Sequence, residues 1–200
     1  MTTKRMVFIL GALLIISSTV VAQPVFLGIR GGANLSRANG PAFSDQYKLG
    51  WEVGPYVGFN LFGVVGLQAE ALYSWTRIST VDYVNAQNTG IEPGKKKLNY
   101  LSIPFLIRLN LGKYFTINGG PQLNVLANKD KYKLDNGSEA FKNRYTNWVA
   151  GFEINIPQAK NKTCLYARYN WGDGFENIGD RKDATISRFQ LGVFIPILGQ

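Results

Sequence analysis

The stretch Leu98-Asn99-Tyr100-Leu101-Ser102-Ile103-Pro104-Phe105-Leu106-Ile107-Arg108-Leu109 decides the fold. Leu101, Ile103, Phe105, Ile107 and Leu109 fall on every second position, with Tyr100, Ser102 and Arg108 between them. A period of two sends alternate side chains to opposite faces of a strand, so one face is apolar and the other carries polar groups and charge.

Seven further segments read the same way. Near 25–36, Val25, Leu27, Ile29 and Leu35 oppose Gly28, Arg30 and Asn34; near 47–59, Leu49, Trp51, Val53 and Phe59 oppose Lys48, Glu52 and Tyr56. Near 64–77, Leu67, Ala69, Tyr73 and Trp75 oppose Gln68, Glu70 and Ser74; near 114–127, Ile117, Leu123 and Val125 oppose Thr116, Asn118 and Asn124. Near 145–156, Trp148, Phe152 and Ile154 oppose Asn147 and Glu153; near 163–171, Leu165, Tyr169 and Trp171 oppose Arg168 and Asn170. In the last segment, near 185–197, Ile186, Leu191, Val193 and Ile195 are set against Arg188 and Gln190.

Strands of about 9–14 residues are long for a soluble sheet and suit tilted membrane strands. An even number allows an antiparallel up-and-down barrel to close without an edge, which hydrocarbon does not tolerate. The connections alternate in length. Those at 36–46, 78–97, 128–144 and 172–184 are long and polar, whereas Asn60 to Gly63, Asn110 to Lys113 and Pro157 to Lys162 are short. This is the asymmetry of a transmembrane barrel with short periplasmic turns and longer external loops. Trp51, Trp75, Trp148 and Trp171 all fall at the long-loop end of their strands, joined by Tyr73 and Tyr169. These six aromatic residues predict a girdle at the membrane interface, where a ring stays apolar and its polar tip stays wet.

Lys4 and Arg5 precede an apolar run from Met6 to Val21, and Val20-Val21-Ala22 closes it. That order predicts a secretory signal peptide over residues 1–22, cut after Ala22, with the barrel domain occupying 23–200. The competing reading, a helical anchor, needs about 20 apolar residues, more than this run supplies. Export implies the bacterial outer membrane as the destination. The net charge of +9 comes from 22 basic and 13 acidic residues scattered through the strands, which points to lipid phosphates and lipopolysaccharide as anionic partners rather than nucleic acid.

Chemistry-bearing groups are few. The chain has no histidine and one cysteine, Cys164, which removes the commonest general base, the commonest zinc ligand and any intramolecular disulfide. Ser36, Ser74 and Ser102 therefore have no histidine to activate them. No catalytic, cofactor or metal site is predicted. The polar faces instead bring together Arg30, Lys48, Glu52, Glu70, Arg108, Glu153, Arg168 and Arg188. Inside a narrow eight-stranded barrel such charges must pair, because an isolated buried ion costs several kcal/mol. They are expected to form a charge network that fills the interior.

Gly28-Ile29-Arg30-Gly31-Gly32-Ala33-Asn34-Leu35-Ser36, Leu67-Gln68-Ala69-Glu70-Ala71-Leu72-Tyr73-Ser74, Leu98 to Phe105 and Gly120-Pro121-Gln122-Leu123 occur in that order along the chain. Together they resemble the small outer-membrane β-barrel family of Bacteroidetes, the porin-like or PorT-type barrel domain. The resemblance covers essentially all of the chain after the signal segment and implies an eight-stranded outer-membrane barrel. That family often has glutamate where this chain has Ser102, so one interior charge differs. Gln190-x-Gly192-x-x-Ile195-x-Ile197 is similar to the terminal-strand pattern read by the barrel-assembly machinery, without a terminal aromatic residue. Some PorT-type members are tied to protein secretion.

The sequence thus supports a structural or surface-interaction protein acting through its external loops, above all 78–97 and 128–144. A narrow channel, a secretion-associated barrel and a soluble lipocalin-like ligand binder are the alternatives. The last needs an apolar interior and a polar exterior, the reverse of the arrangement read here.

Overall fold

A computed structural model describes residues 25–40, 42–61, 63–84, 90–91, 93–128, 142–156, 163–172 and 185–198. The signal segment lies outside them, as do most of the connections at 128–144 and 172–184. The strands are β1 (Val25–Asn39), β2 (Lys48–Asn60), β3 (Val65–Glu70), β4 (Leu72–Thr80), β5 (Tyr83–Val84), β6 (Gly90–Ile91), β7 (Gly94–Leu111), β8 (Phe115–Leu126), β9 (Arg144–Asn155), β10 (Cys164–Gly172) and β11 (Thr185–Leu198). Every ladder is antiparallel, and each wall strand pairs with its neighbours in sequence. β11 then pairs with β1 from Leu27↔Leu198 to Asn39↔Thr185, and the sheet closes into a ring. β5 and β6 form a separate small hairpin within the connection from β4 to β7.

Eight spans make up the wall, because β3 and β4 are one strand interrupted at Ala71. The register is unchanged across the gap, from Tyr56↔Glu70 to Val53↔Tyr73. The cause lies opposite, where Pro55 has no N–H to give to the ladder. Only the Ala71 amide, donating to the Pro55 carbonyl at 3.0 Å, survives there. Next to it, Gly54 is required by close approach: a Cβ would lie 1.9 Å from the Ala71 carbonyl oxygen. A second interruption, between Pro104↔Gln122 and Ile107↔Gly119, sits where Pro121 faces the β7 ladder. At the closing seam Gly32 pairs with Gly192, and the Tyr166 side chain lies across both. The short turns at Gly63 (φ 67°) and Gly112 (φ 75°) use the left-handed region that glycine enters freely.

The inside-out arrangement is direct. Arg108 and Glu70 are buried inside, while Trp75 and Phe105 are exposed on the outer wall. Outward apolar side chains run along every span, as from Val25 to Leu35 on β1. One residue departs from its assigned face. Ile186 shares the parity of Arg188 and Gln190 and is buried in the interior, so it is not part of the outer apolar row. The connections expected at 36–46 and 78–97 are also shorter than read. β1 continues to Asn39, and β4 and β7 stay paired up to Thr80↔Gly94. Above the hydrocarbon a strand no longer needs an apolar face, so its ends look like polar loop in sequence.

Gly54→Val is expected to abolish the compact, fast-migrating species seen on unheated gels of a folded barrel. Ala71→Val, which puts the same side chain on the lipid side of that junction, is expected to retain it.

Candidate functional site

The interior is built in layers from residues that alternate with the lipid-facing rows. At its centre six charges alternate as Glu52–Arg30–Glu70–Arg168–Glu153–Arg108. Arg30 forks between Glu52 and Glu70. Arg168 forks likewise, with Nη1 donating to Glu70 Oε1 at 2.8 Å and Nη2 to Glu153 Oε1 at 3.1 Å. Arg108 Nη2 donates to Glu153 Oε2 at 2.8 Å. Amides and a phenol complete the carboxylates: Gln190 donates to Glu52, Gln68 to Glu70, Asn118 to Glu153 at 2.8 Å, and Tyr166 to Glu52 at 3.1 Å. The Arg30 guanidinium also sits 4.0 Å from the centre of the Tyr166 ring, and Arg108 lies 4.6 Å from Phe26. Three positive and three negative charges in strict alternation leave no net charge along the chain. That is the condition under which burying them is tolerable.

Above and below, the interior turns apolar, which the expectation of a polar filling did not include. Phe26, Tyr56, Cys164, Tyr166 and Phe194 pack together toward the short-turn end, with Tyr56 edge-on to Phe194 at 4.8 Å. Toward the long-loop end Ala38, Ala42, Phe43, Ile78, Leu98, Tyr100, Leu126, Tyr145 and Ile186 form a second cluster. Ala42 and Phe43 come from the β1–β2 connection, and a bridge from Phe43 to Thr80 holds that connection in the mouth. The described interior is therefore a salt-linked middle between two apolar seals.

Seven of the eight charges singled out in sequence are buried in this interior, and six of them join the chain. Lys48 does not. It starts β2 at the external rim, where its ammonium donates to Gln46 Oε1 at 2.7 Å, because the strand has already risen past the ion layer. Arg188 is buried but stands apart, donating through Nη2 to Asn124 Oδ1 at 2.9 Å. Gln68, Asn118, Tyr166 and Gln190 were not singled out, yet each completes a glutamate. Their signal was parity, since each lies on the same strand face as a charged residue.

On the outer wall all six girdle residues are exposed, with Trp51 at 53% and Trp148 at 57%. Trp51 stands directly opposite Trp75, and Trp148 opposite Trp171. Tyr73 meets Trp75 edge-on at 4.8 Å, and Tyr169 stacks on Trp171 at 6.0 Å. Beyond the Trp51–Trp75 pair, Arg77 stands opposite Lys97 and Lys95 opposite Ser79. A groove of about 420 Å³ lies among Trp51, Trp75, Thr76, Arg77, Lys97 and Asn99. At the rim, hydrogen bonds from the Arg37 guanidinium hold the Asp45 carboxyl below the usual carboxylate range.

Residues 21–178 match the outer membrane protein β-barrel domain family. The chain belongs to that family. It is an outer-membrane β-barrel protein with transmembrane strands. Among solved structures it is similar to Ail, the attachment invasion locus protein of Yersinia pestis, with 12% identity and a TM-score of 0.49 over 88% of this chain and 99% of Ail. Neisserial surface protein A gives 14% identity and a TM-score of 0.46 over 84% of this chain and 96% of that one. The outer membrane protein AlkL gives 7% and 0.45 over 88% and 90%. No curated protein matches the sequence. The barrel's polar interior and apolar exterior are the opposite of what a lipocalin-like ligand binder requires.

Removing one link strands its neighbours. Glu70→Ala leaves Arg30 and Arg168 buried without their shared carboxylate and is expected to destabilise the barrel by about 3–5 kcal/mol. Lys48→Ala, at the rim, is expected to change stability by less than about 0.5 kcal/mol. Urea titrations of the barrel in detergent micelles measure both.

Proposed function

We propose that this outer-membrane barrel is non-enzymatic and acts as a sealed stem that displays its external connections to a partner. The observation that carries the reading is the closed mouth. Ala42 and Phe43 fill the external opening above an interior already occupied by salt-linked side chains. β4 and β7 meanwhile extend past the tryptophan level and carry the β5–β6 hairpin beyond it. A stem that rises out of the bilayer and admits no solute suits presentation rather than transport. In this reading the segment over 1–22 is a cleaved signal peptide. The finer kinship is with porin-like, PorT-type barrels of Bacteroidetes, resting on the segments from Gly28 to Ser36 and Leu67 to Ser74.

The same reading supplies two general partners. Ile195 and Ile197 of β11 face outward after Gly192, which keeps the terminal-strand pattern available to the assembly machinery. Arg77 and Lys97 stand directly opposite one another, which concentrates positive charge at this level of the wall and favours anionic groups nearby. With Trp51 and Trp75 alongside, the groove suits a lipopolysaccharide phosphate whose acyl chains run down the apolar wall.

Reconstituted into planar bilayers, the protein is expected to be electrically silent, and a tag inserted after Val84 is expected to be labelled on intact cells. Discrete conductance steps, or a tag reached only after the cells are opened, would overturn the display reading. Separately, the double charge reversal Arg77→Glu/Lys97→Glu is expected to reduce co-purified lipopolysaccharide several-fold without loss of the folded species on unheated gels.

A further inference from the structure

The ion chain balances without Arg188. Glu52, Glu70 and Glu153 are fully engaged with Arg30, Arg168 and Arg108, so the interior holds a fourth guanidinium with no carboxylate to match it among the described residues. The other buried cation, Lys96, belongs to the external rim opposite Ile78. Arg188 is 1% exposed. Its Nη2 reaches Asn124 Oδ1 at 2.9 Å and lies 3.5 Å from the Tyr145 hydroxyl, both neutral groups. Its Nε and Nη1 have no hydrogen-bond partner, although both are buried.

The neighbours repeat the pattern. In register, Arg188 is flanked by Ser36 on β1 and Asn170 on β10, and Asn34 lies one repeat along from Ser36 on the same face. The side-chain amides of Asn34 and Asn170 are buried, neither Nδ2 donates to anything, and Asn170 Oδ1 accepts from nothing. Asn34 Oδ1, by contrast, already accepts from Ser36 at 3.1 Å. The orphaned N–H donors on Arg188, Asn34 and Asn170 outnumber the orphaned Asn170 acceptor, and the Arg188 charge faces the Tyr100 ring at 5.8 Å with no carboxylate beside it among the described residues. A water molecule can accept from such donors but cannot cancel the charge. A small anion does both. The layer is shut off by the apolar cluster of Leu98, Tyr145 and Ile186 on one side and by the ion chain on the other, so its dielectric is low and the unpaired charge costly.

We propose that the barrel interior binds one monovalent inorganic anion, of the halide class, on Arg188 Nε and Nη1 with Asn34 Nδ2 and Asn170 Nδ2. The anion stands where a fourth carboxylate is missing and is taken up as the ring closes. It is a structural ligand, independent of any partner bound at the loops.

Two measurements test this. Full-length protein is refolded in sodium chloride and in sodium gluconate at equal ionic strength, and its unfolding equilibrium is followed against chloride concentration. The wild-type barrel is expected to gain up to tenfold in its folding constant per tenfold rise in chloride, the linkage of one site binding only the folded state. Ser102→Glu places a carboxylate beside Asn124 Oδ1, which Ser102 and Arg188 already share at 2.8 and 2.9 Å, and is expected to remove that dependence. Crystals of the wild-type protein grown in sodium bromide are expected to show one anomalous peak within hydrogen-bond reach of Arg188 Nη1. That second readout needs no variant and stands even where a substitution prevents folding. Equal stability in chloride and gluconate, or a layer filled by water with no bromide peak, would overturn the proposal.

Discussion

Hydrocarbon offers no partner to a peptide N–H or C=O, and this constraint governs the rest of the structure. It forces the sheet to close, and the closed sheet then creates a narrow interior cut off from both lipid and water. Whatever faces inward must satisfy itself. The six-membered ion chain is the answer at mid-height, where Arg30 and Arg168 each fork between two carboxylates, Arg108 ends the chain on Glu153, and each carboxylate gathers amides or a phenol. At the two ends, where water would otherwise enter, aromatic and aliphatic side chains take over.

Much of the architecture was legible in the sequence because the lipid-facing rows obey a rule without exceptions. From Leu101 to Leu109, and in each of its counterparts, every outward position at membrane depth is apolar. The girdle was legible for the same reason, since Trp51, Trp75, Trp148 and Trp171 mark the level at which that rule lapses. Beyond it the strands lose their signature, and β4 and β7 therefore run further than their polar residues suggest.

The interior was harder to read. Arginine and glutamate on the inward parity announce a network, but not which of them reach one another across the lumen. Lys48 lies on the right face at the wrong height, and height depends on strand tilt and stagger, which no single segment encodes. Ile186 was misplaced because an isoleucine beside a lipid-facing row reads as lipid-facing unless its parity is counted from Arg188. The two apolar seals were hidden likewise: Phe26, Leu98, Tyr100 and Phe194 look like irregularities in an alternation until the ring brings them together. The interruption at Ala71 is set by Pro55, a residue on the adjacent strand.

One residue ties the closing seam to the charged middle. Tyr166 brings its hydroxyl over the bare backbone of Gly32 and Gly192, where it donates to Glu52. The ring cannot shut without setting that phenol in place, and the phenol has no seat until β1 and β11 have met. Docking of the last strand and alignment of the internal ions thus become a single event. A partly assembled barrel, with its seam agape, would hold naked charges against the bilayer, so assembly passes from open to finished with no comfortable halfway state.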